Sequence, residues 1–260
     1  MAVERVEIDQ QGSPWKEEHL ARYFHIREKV KDKTVLDIAC GTGFGSELLL
    51  QNGASRIFAA DVSPEAIELC TKRLQQYDPG KWTCHYQDGT NMSYPSGNFD
   101  MVVSFETIEH IPDYSAFLSE IYRVLKQEGI LVLSTPNALV TNPSKGKPVN
   151  PYHVYEFDPA ELSEILSKYF TIELAAGHHV KENYGVAPFL PSFNRKTLTV
   201  RQKINFLYWR IALRLPKKLR DKTHRLFFSS DFYPRVEEYT FKPENLTKAH
   251  VQYYICRKKG

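Results

Sequence analysis

Val35-Leu36-Asp37-Ile38-Ala39-Cys40-Gly41-Thr42-Gly43-Phe44-Gly45 decides the fold. A short apolar run of strand type carries an acid, Asp37, and is followed by glycines at positions 41, 43 and 45. An amphipathic helical pattern over 44–51 begins at once. Strand, glycine turn and helix start together leave backbone N–H groups open to a ligand. A dinucleotide fingerprint, G-x-G-x-x-G/A, would need its third small residue at position 46. Ser46 stands there, and the glycine comes one place early. A carboxylate at Asp37 would repel a pyrophosphate. It suits a ligand with a cationic end, such as an amino acid.

At 260 residues the chain is long for one α/β domain and short for two. With 42% hydrophobic residues it can bury a substantial core. No run approaches the roughly 18 apolar residues of a membrane span, and the start, MAVERVEIDQ, is charged and lacks an apolar signal core. Cys40, Cys70, Cys84 and Cys256 have no paired or metal-ligand spacing, which predicts reduced thiols in a cytoplasmic protein. The net charge of +3 hides an asymmetry. Residues 195–225 hold eleven Lys/Arg against one acid, Asp221, leaving −7 for the rest of the chain.

Apolar positions at helical spacing (Leu20, Phe24, Val30) predict a helix over 15–31 that carries His19, Arg22 and Tyr23. Strands are expected at 34–38, 56–60, 83–87, 99–104, 129–137, 170–175 and 250–256. Helices are expected after Ser63-Pro64, where serine suits the N-cap and proline the first turn, at 113–126 and at 159–168. Strands alternating with helices at this spacing imply an α/β, doubly wound, mostly parallel seven-stranded sheet. Four parts follow: a covering helix (1–32), a core (33–177), a basic, partly helical insertion (178–245), and the final strand and tail (246–260).

The D-x-x-x-G-x-G-x-G form at Asp37–Gly45 and the segment L-K-x-x-G-I-L-V-L-S-T-P-N at 125–137 resemble the class I S-adenosylmethionine-dependent methyltransferases. The resemblance covers residues 33–137. It implies S-adenosyl-L-methionine as cofactor, with Asp37, Ala39, Gly41 and Gly43 at its methionine end. Asp61, twenty residues beyond Gly41 at the end of the second strand, would accept both ribose hydroxyls. Asp88 would approach the adenine amino group, and Val62, Gly89 and Phe105 are further candidates for contact with the cofactor. His19, Tyr23 and Tyr155 are candidates for contact with the methyl acceptor.

After the fourth strand stands Glu106-Thr107-Ile108-Glu109-His110, two carboxylates and an imidazole spaced E-x-x-E-H. The segment is similar to that of ubiquinone-pathway O-methyltransferases. With His153 in H-x-aromatic-E-aromatic, it also resembles the metal-dependent small-RNA 2′-O-methyltransferases. Carried over, the ligands of an Mg²⁺ or Mn²⁺ ion would be Glu106, Glu109, His110 and His153, a mixed O/N set. Such an ion would lower the pKa of an acceptor hydroxyl. A metal-free alternative makes His110 or His153 the general base, with Glu109 beside it. A structural role for these residues is a third reading.

In 195–225 the residues Leu198, Ile204, Phe206, Leu207, Trp209, Ile211 and Leu215 interleave with Arg and Lys, and the part before Pro216 reads as an amphipathic helix. It suits a cap over the substrate, peripheral contact with an anionic membrane, or a phosphate-rich partner. No RNA-binding module accompanies it, so nucleic acid is not the expected partner. The function expected is methyl transfer to a hydroxyl of a small or carrier-linked molecule. The alternatives are a metal-free N- or C-methyltransferase and a non-catalytic donor-binding protein.

Overall fold

A computed structural model describes residues 14–144, 146–180, 200–228 and 231–260. The strands are β1 (Thr34–Ile38), β2 (Arg56–Asp61), β3 (Trp82–Tyr86), β4 (Phe99–Phe105), β5 (Leu125–Pro136), β6 (Phe170–Val180), β7 (Tyr239–Lys242) and β8 (Val251–Lys258). They form one sheet in the order β3-β2-β1-β4-β5-β8-β6-β7. Neighbours from β3 to β5 are parallel, while β8 runs antiparallel to both β5 and β6.

The sheet is covered on both faces, and the strand sequences show why. Side chains on a strand alternate between faces. Leu36, Val102, Leu131, Leu133, Tyr254 and Cys256 enter one core. The intervening Val35, Met101, Val103, Val132, Tyr253 and Ile255 enter the other. The first core is closed by α4 (Tyr114–Val124) and α6 (Pro159–Ser167). The second is closed by α1 (Pro14–His25), α2 (Phe44–Gln51) and α3 (Pro64–Leu74). Each fully buried Leu, Ile or Phe contributes roughly 1.5–3 kcal/mol. Helix starts follow their caps: the side chains of Ser63, Asp113 and Asp158 each accept from backbone N–H groups of the first turn.

Several expectations are corrected. An eighth strand, β7, joins the seven expected. Strand β6 runs on to Val180, and β7 pairs antiparallel with its last four residues, with the Phe241 ring against His178 and Tyr253. The first helix stops at His25, short of residue 31, and a single 3-10 turn follows (Arg27–Lys29). The Arg27 guanidinium donates to the Phe24 carbonyl (2.8 Å), engaging an acceptor that the next turn would use. Strand β5 begins at Leu125, because Leu125 already pairs with Phe99 before the register shifts. The cysteines are all free, yet Cys70 and Cys84 meet with sulfurs 3.1 Å apart.

Between β6 and β7 lie α7 (Val200–Ala212) and α8 (Lys217–Phe228), separated at Pro216. Trp209, Ala212 and Phe232 form a small core of their own there. The start of the basic segment, with Arg195, Lys196 and Leu198, falls outside the described residues. A short α5 (Ala138–Thr141) follows β5. No helix among the described residues is long and apolar enough to cross a membrane.

The glycine turn depends on close packing. A Cβ at Gly45 would lie 2.0 Å from the Tyr23 ring, and one at Gly43, whose φ is +76°, would meet Cys70 Sγ at 2.4 Å. Gly45→Ala should therefore destabilise the protein by about 1–3 kcal/mol. That lowers the thermal midpoint by several degrees in calorimetry; an unchanged midpoint would mean that the ring shifts without loss.

Candidate active site

The carboxyl ends of β1, β2 and β4 lie together along one edge of the sheet. Two non-glycine residues there hold left-handed backbone, Ala39 after β1 (φ +61°) and Glu106 after β4 (φ +51°). Such strain collects where a chain must present a site. Above β1, Gly41 has φ +55°, and nothing lies within 4 Å of where its Cβ would be. Asp61 fixes this turn. One carboxylate oxygen accepts the Gly41 N–H (2.9 Å) and the other the Ser63 N–H (2.9 Å). Val62 beside it is 55% exposed, and Asp88 is an exposed acid held by the Thr90 N–H and hydroxyl. Burial raises the Asp88 carboxyl less than these hydrogen bonds lower it, with the Thr90 backbone first, so it lies below its ordinary range. Gly89 lies against the Phe117 ring, where a Cβ would come within 2.7 Å. Open space over Gly41, a preset acid at Asp61 and an exposed apolar side chain at Val62 fit a nucleoside carrying an amino-acid tail.

Asp37 lies below the turn. It is buried, and it accepts from the Tyr23 hydroxyl (3.0 Å) and the Ser46 hydroxyl (2.6 Å). It ties α1, β1 and α2 together. Tyr23, a candidate for acceptor contact, is spent on this tie and on packing against Phe44, Phe105 and Gly45. Burial pushes the Asp37 carboxyl up to about 6, against the pull of those two hydroxyls.

Glu106 and Glu109 part company. Glu106 accepts from the Ser134 hydroxyl (2.7 Å) and pairs with Arg22 (3.6 Å), a side chain on α1 that is 1% exposed. Arg22 also meets Glu18 (3.5 Å) and donates from Nε to Nδ1 of His178 on β6 (3.3 Å). Burial raises the Glu106 carboxyl, but Arg22, then His19 and Ser134, more than reverse this and hold it below its ordinary range. Glu109 is fully buried and accepts from the Thr135 hydroxyl (2.8 Å), and its other oxygen has no hydrogen-bond partner among the described residues. Burial, reinforced by the Glu106 charge, drives it well above the carboxylate range.

His153 reaches Glu109 through the backbone. The Glu109 carbonyl accepts from the N–H groups of Val154 (2.8 Å) and Tyr155 (3.2 Å), which docks the 150–157 loop. Ligand atoms of Glu109, His110 and His153 consequently lie within 4.8 Å of one another. Of the four expected ligands, Glu106 lies outside this group and is paired with Arg22. Each imidazole is oriented by its Nδ1. That of His110 faces the Tyr152 carbonyl (3.0 Å), which can only accept, and that of His153 faces the Glu156 carboxylate (2.6 Å). Both Nε2 atoms are thereby left as acceptors, although the Asn150 amide donates to that of His153 (2.9 Å). Imidazoles backed in this way commonly serve as metal ligands or bases.

Tyr155 points elsewhere. It is 44% exposed, and its hydroxyl donates to Glu161 (2.7 Å). His19 is partly buried and contributes charge near Glu106 and His178. Sequence reasoning gave no role to Arg22, Glu18, His178, Ser134, Thr135 or Glu156. The only local trace of the network is the Glu18–Arg22 spacing of one helical turn, which is common on solvated helices.

Residues 36–133 match the family described as Methyltransferase domain. A protein of Mycolicibacterium smegmatis named a probable S-adenosylmethionine-dependent methyltransferase is 30% identical over 172 residues, covering 66% of this chain and 62% of that one. A ubiquinone biosynthesis O-methyltransferase of Xanthomonas euvesicatoria is 28% identical over 202 residues, 73% of this chain and 80% of that one. The solved S-adenosylmethionine-dependent methyltransferase of Mesorhizobium loti superposes with a TM-score of 0.57 at 14% identity, covering 95% of this chain and all of that one, which speaks to the fold alone. This chain spans 53–62% of the length of the first curated relatives it matches.

Two outcomes test the electrostatics. Arg22→Met leaves Glu106 buried without its counter-charge and should cost about 3–5 kcal/mol. Adding Glu106→Gln should recover part of that in denaturant melts; strict additivity would show that the pair is uncoupled. For Asp37, the raised folded-state pKa means that the native state binds the proton more tightly than the unfolded chain. Its favourable contribution is complete below about pH 4 and is lost as pH rises through about 6. Asp37→Asn should flatten that limb, gaining up to about 3 kcal/mol on the wild type between pH 4 and 7; parallel stability curves would contradict it.

The parallel strands and the glycine turn, together with the matched segment, identify residues 36–133 as a methyltransferase domain, similar in sequence to proteins named S-adenosylmethionine-dependent methyltransferases.

Proposed function

We propose that this chain moves the methyl group of S-adenosyl-L-methionine to a hydroxyl oxygen of a small or carrier-linked acceptor held against Glu109, His110 and His153. The observation that carries this reading is the cluster itself: a buried carboxyl and two oriented imidazoles one loop from the donor cleft. The donor would lie over Gly41 and Gly43, its ribose on Asp61 and its adenine between Val62 and Asp88. It supplies a methyl already activated by the sulfonium. The protein's part is to align the acceptor oxygen and to take its proton. In transfer the acceptor O–C bond forms as the donor S–C bond breaks. The hydroxyl proton passes to an imidazole Nε2, with His110 the more accessible of the two. Glu109, backed by Thr135, orients the acceptor from below, and Arg22 keeps the neighbouring Glu106 charged and out of the exchange.

The same three side chains fit a divalent ion such as Mg²⁺ or Mn²⁺, with Glu109 Oε1 and the two Nε2 atoms as donors. Its chemistry there would be to polarise the acceptor hydroxyl. A ligand at His153 Nε2 has to displace the Asn150 amide.

Three measurements test the reading. In calorimetry the protein should bind S-adenosylmethionine in preference to NAD, and Asp61→Ala should weaken that binding by tenfold or more, in line with the roughly 1.5–3 kcal/mol of a hydrogen bond to a charged group. With a labelled donor and a panel of hydroxylated acceptors, His110→Ala should lower kcat by about 10²–10⁴ with donor affinity unchanged. Turnover unaffected by that substitution would remove His110 as the base. Loss of activity in chelator, restored by Mg²⁺ or Mn²⁺, would support the ion, and full activity in chelator would reject it.

A further inference from the structure

Helices α7 and α8 already have a buried side. Trp209 and Ala212 on α7 are each 2% exposed and pack with Phe232, and His224 on α8 is buried against the same ring. The Arg220 guanidinium lies over Phe232, with its Cζ 4.3 Å from the ring centroid. A helix packed on one side ordinarily turns polar residues outward. These do not. Val200, Ile204, Leu207 and Ile211 recur at i, i+4, i+7 and i+11 and are 74%, 65%, 57% and 56% exposed. That is a second apolar stripe about 17 Å long at 1.5 Å per residue. On α8, Leu219 and Leu226, two turns apart, are 48% and 78% exposed. Exposed Lys203, Arg210 and Arg214 flank the first stripe, and exposed Lys218 and Lys222 the second. Residues 200–228 carry nine Lys/Arg and a single acid, Asp221, a net charge of +8.

We propose that the outer faces of α7 and α8 dock on an anionic lipid bilayer, with the aliphatic stripes entering the headgroup boundary and the flanking cations meeting lipid phosphates. The combination of exposed aliphatics and flanking Lys/Arg is the physical signature of an interfacial helix. Charge decides against a second copy of the chain, because two surfaces of +8 would be pressed together. Chemistry decides against nucleic acid. The exposed apolar side chains described on these helices are all aliphatic, whereas bases are held by aromatic stacking. The same helices adjoin the active-site cover. A cleft of about 430 Å³ lies between α8, the 231–237 loop and α1, lined by Lys217, Arg220 and Tyr233 on one side and Glu17 on the other. On the methyl-transfer reading above, on which this one clause rests, the arrangement suits an acceptor carried in the bilayer.

The test needs no substrate. The full chain is sedimented with phosphatidylcholine vesicles, with and without phosphatidylglycerol. Binding should be tenfold or more tighter to the anionic vesicles, and should be lost between about 0.1 and 1 M salt, where the screening length falls from about 10 to 3 Å. Leu207→Glu with Ile211→Glu should abolish binding, and Lys218→Glu and Lys222→Glu should each weaken it about fivefold or more. Circular dichroism, thermal midpoint and S-adenosylmethionine binding should stay as in the wild type, so that loss of docking is separated from loss of fold or of the donor site. Equal binding to neutral vesicles, or none to anionic ones, would overturn the proposal. So would a dimer in sedimentation equilibrium that Leu207→Glu with Ile211→Glu dissolves without any effect on vesicles. Binding to oligonucleotides that is tighter than to vesicles and indifferent to those two substitutions would also overturn it.

Discussion

The central strands, β1, β4, β5 and β8, are buried on both faces, and the rest of the molecule depends on that constraint. A two-faced core admits few polar side chains along a strand's length. Polar chemistry is therefore displaced to the strand ends, where the chain leaves the sheet and backbone groups lose their partners. The carboxyl ends of β1, β2 and β4 supply Ala39, Asp61 and Glu106 along one edge of the sheet. Two of these residues hold left-handed backbone that only the surrounding packing sustains.

At that edge two neighbouring carboxylates are given opposite characters. Ser134 and Thr135, consecutive at the end of β5, each hold one of them, Glu106 and Glu109 respectively. What separates them is Arg22, which approaches from α1 and sits beside Glu106 only. A buried guanidinium next to one acid fixes the negative charge there, and the other acid, deeper and facing that fixed charge, favours its protonated form. The covering helix is in this sense part of the electrostatics of the site. Its Tyr23 hydroxyl also satisfies Asp37 beneath the glycine turn, so that displacing α1 would disturb both the donor cradle and the carboxylate pair.

The long excursion between β6 and β8 follows a different logic. Its helices bury Trp209 and Ala212 inward, and present aliphatic stripes outward between cations. Soluble helices rarely pair a second apolar stripe with such a concentrated charge of one sign. The excursion touches the core where the 231–237 loop meets α1 and where β7 extends the sheet. The excursion is thereby joined to α1, the helix that carries Arg22.

The sequence by itself determined the sheet and the donor turn. Both are written in local signals: strand periods of two, capping residues such as Ser63-Pro64, and the glycine spacing after Asp37 whose register separates this turn from a dinucleotide one. His110 stands out in the sequence as a candidate because it sits four residues beyond a strand-end acid, Glu106. Only the tertiary structure decided how the acids are used. Arg22 lies 84 positions from Glu106, and His153 comes to Glu109 through two backbone hydrogen bonds of a docked loop. Neither approach leaves a periodic trace in sequence. For the same reason Glu106 reads as a metal ligand in the linear E-x-x-E-H pattern and becomes an ion-pair partner in the fold. Asp37 reads as a contact for the ligand and becomes the tie beneath it. The strand β7 was invisible because four residues carry too little pattern of their own, and it forms only where β6 already offers an edge. Short-range preferences fix which elements exist, but the electrostatic partner of a buried charge is chosen by packing between elements distant in the chain.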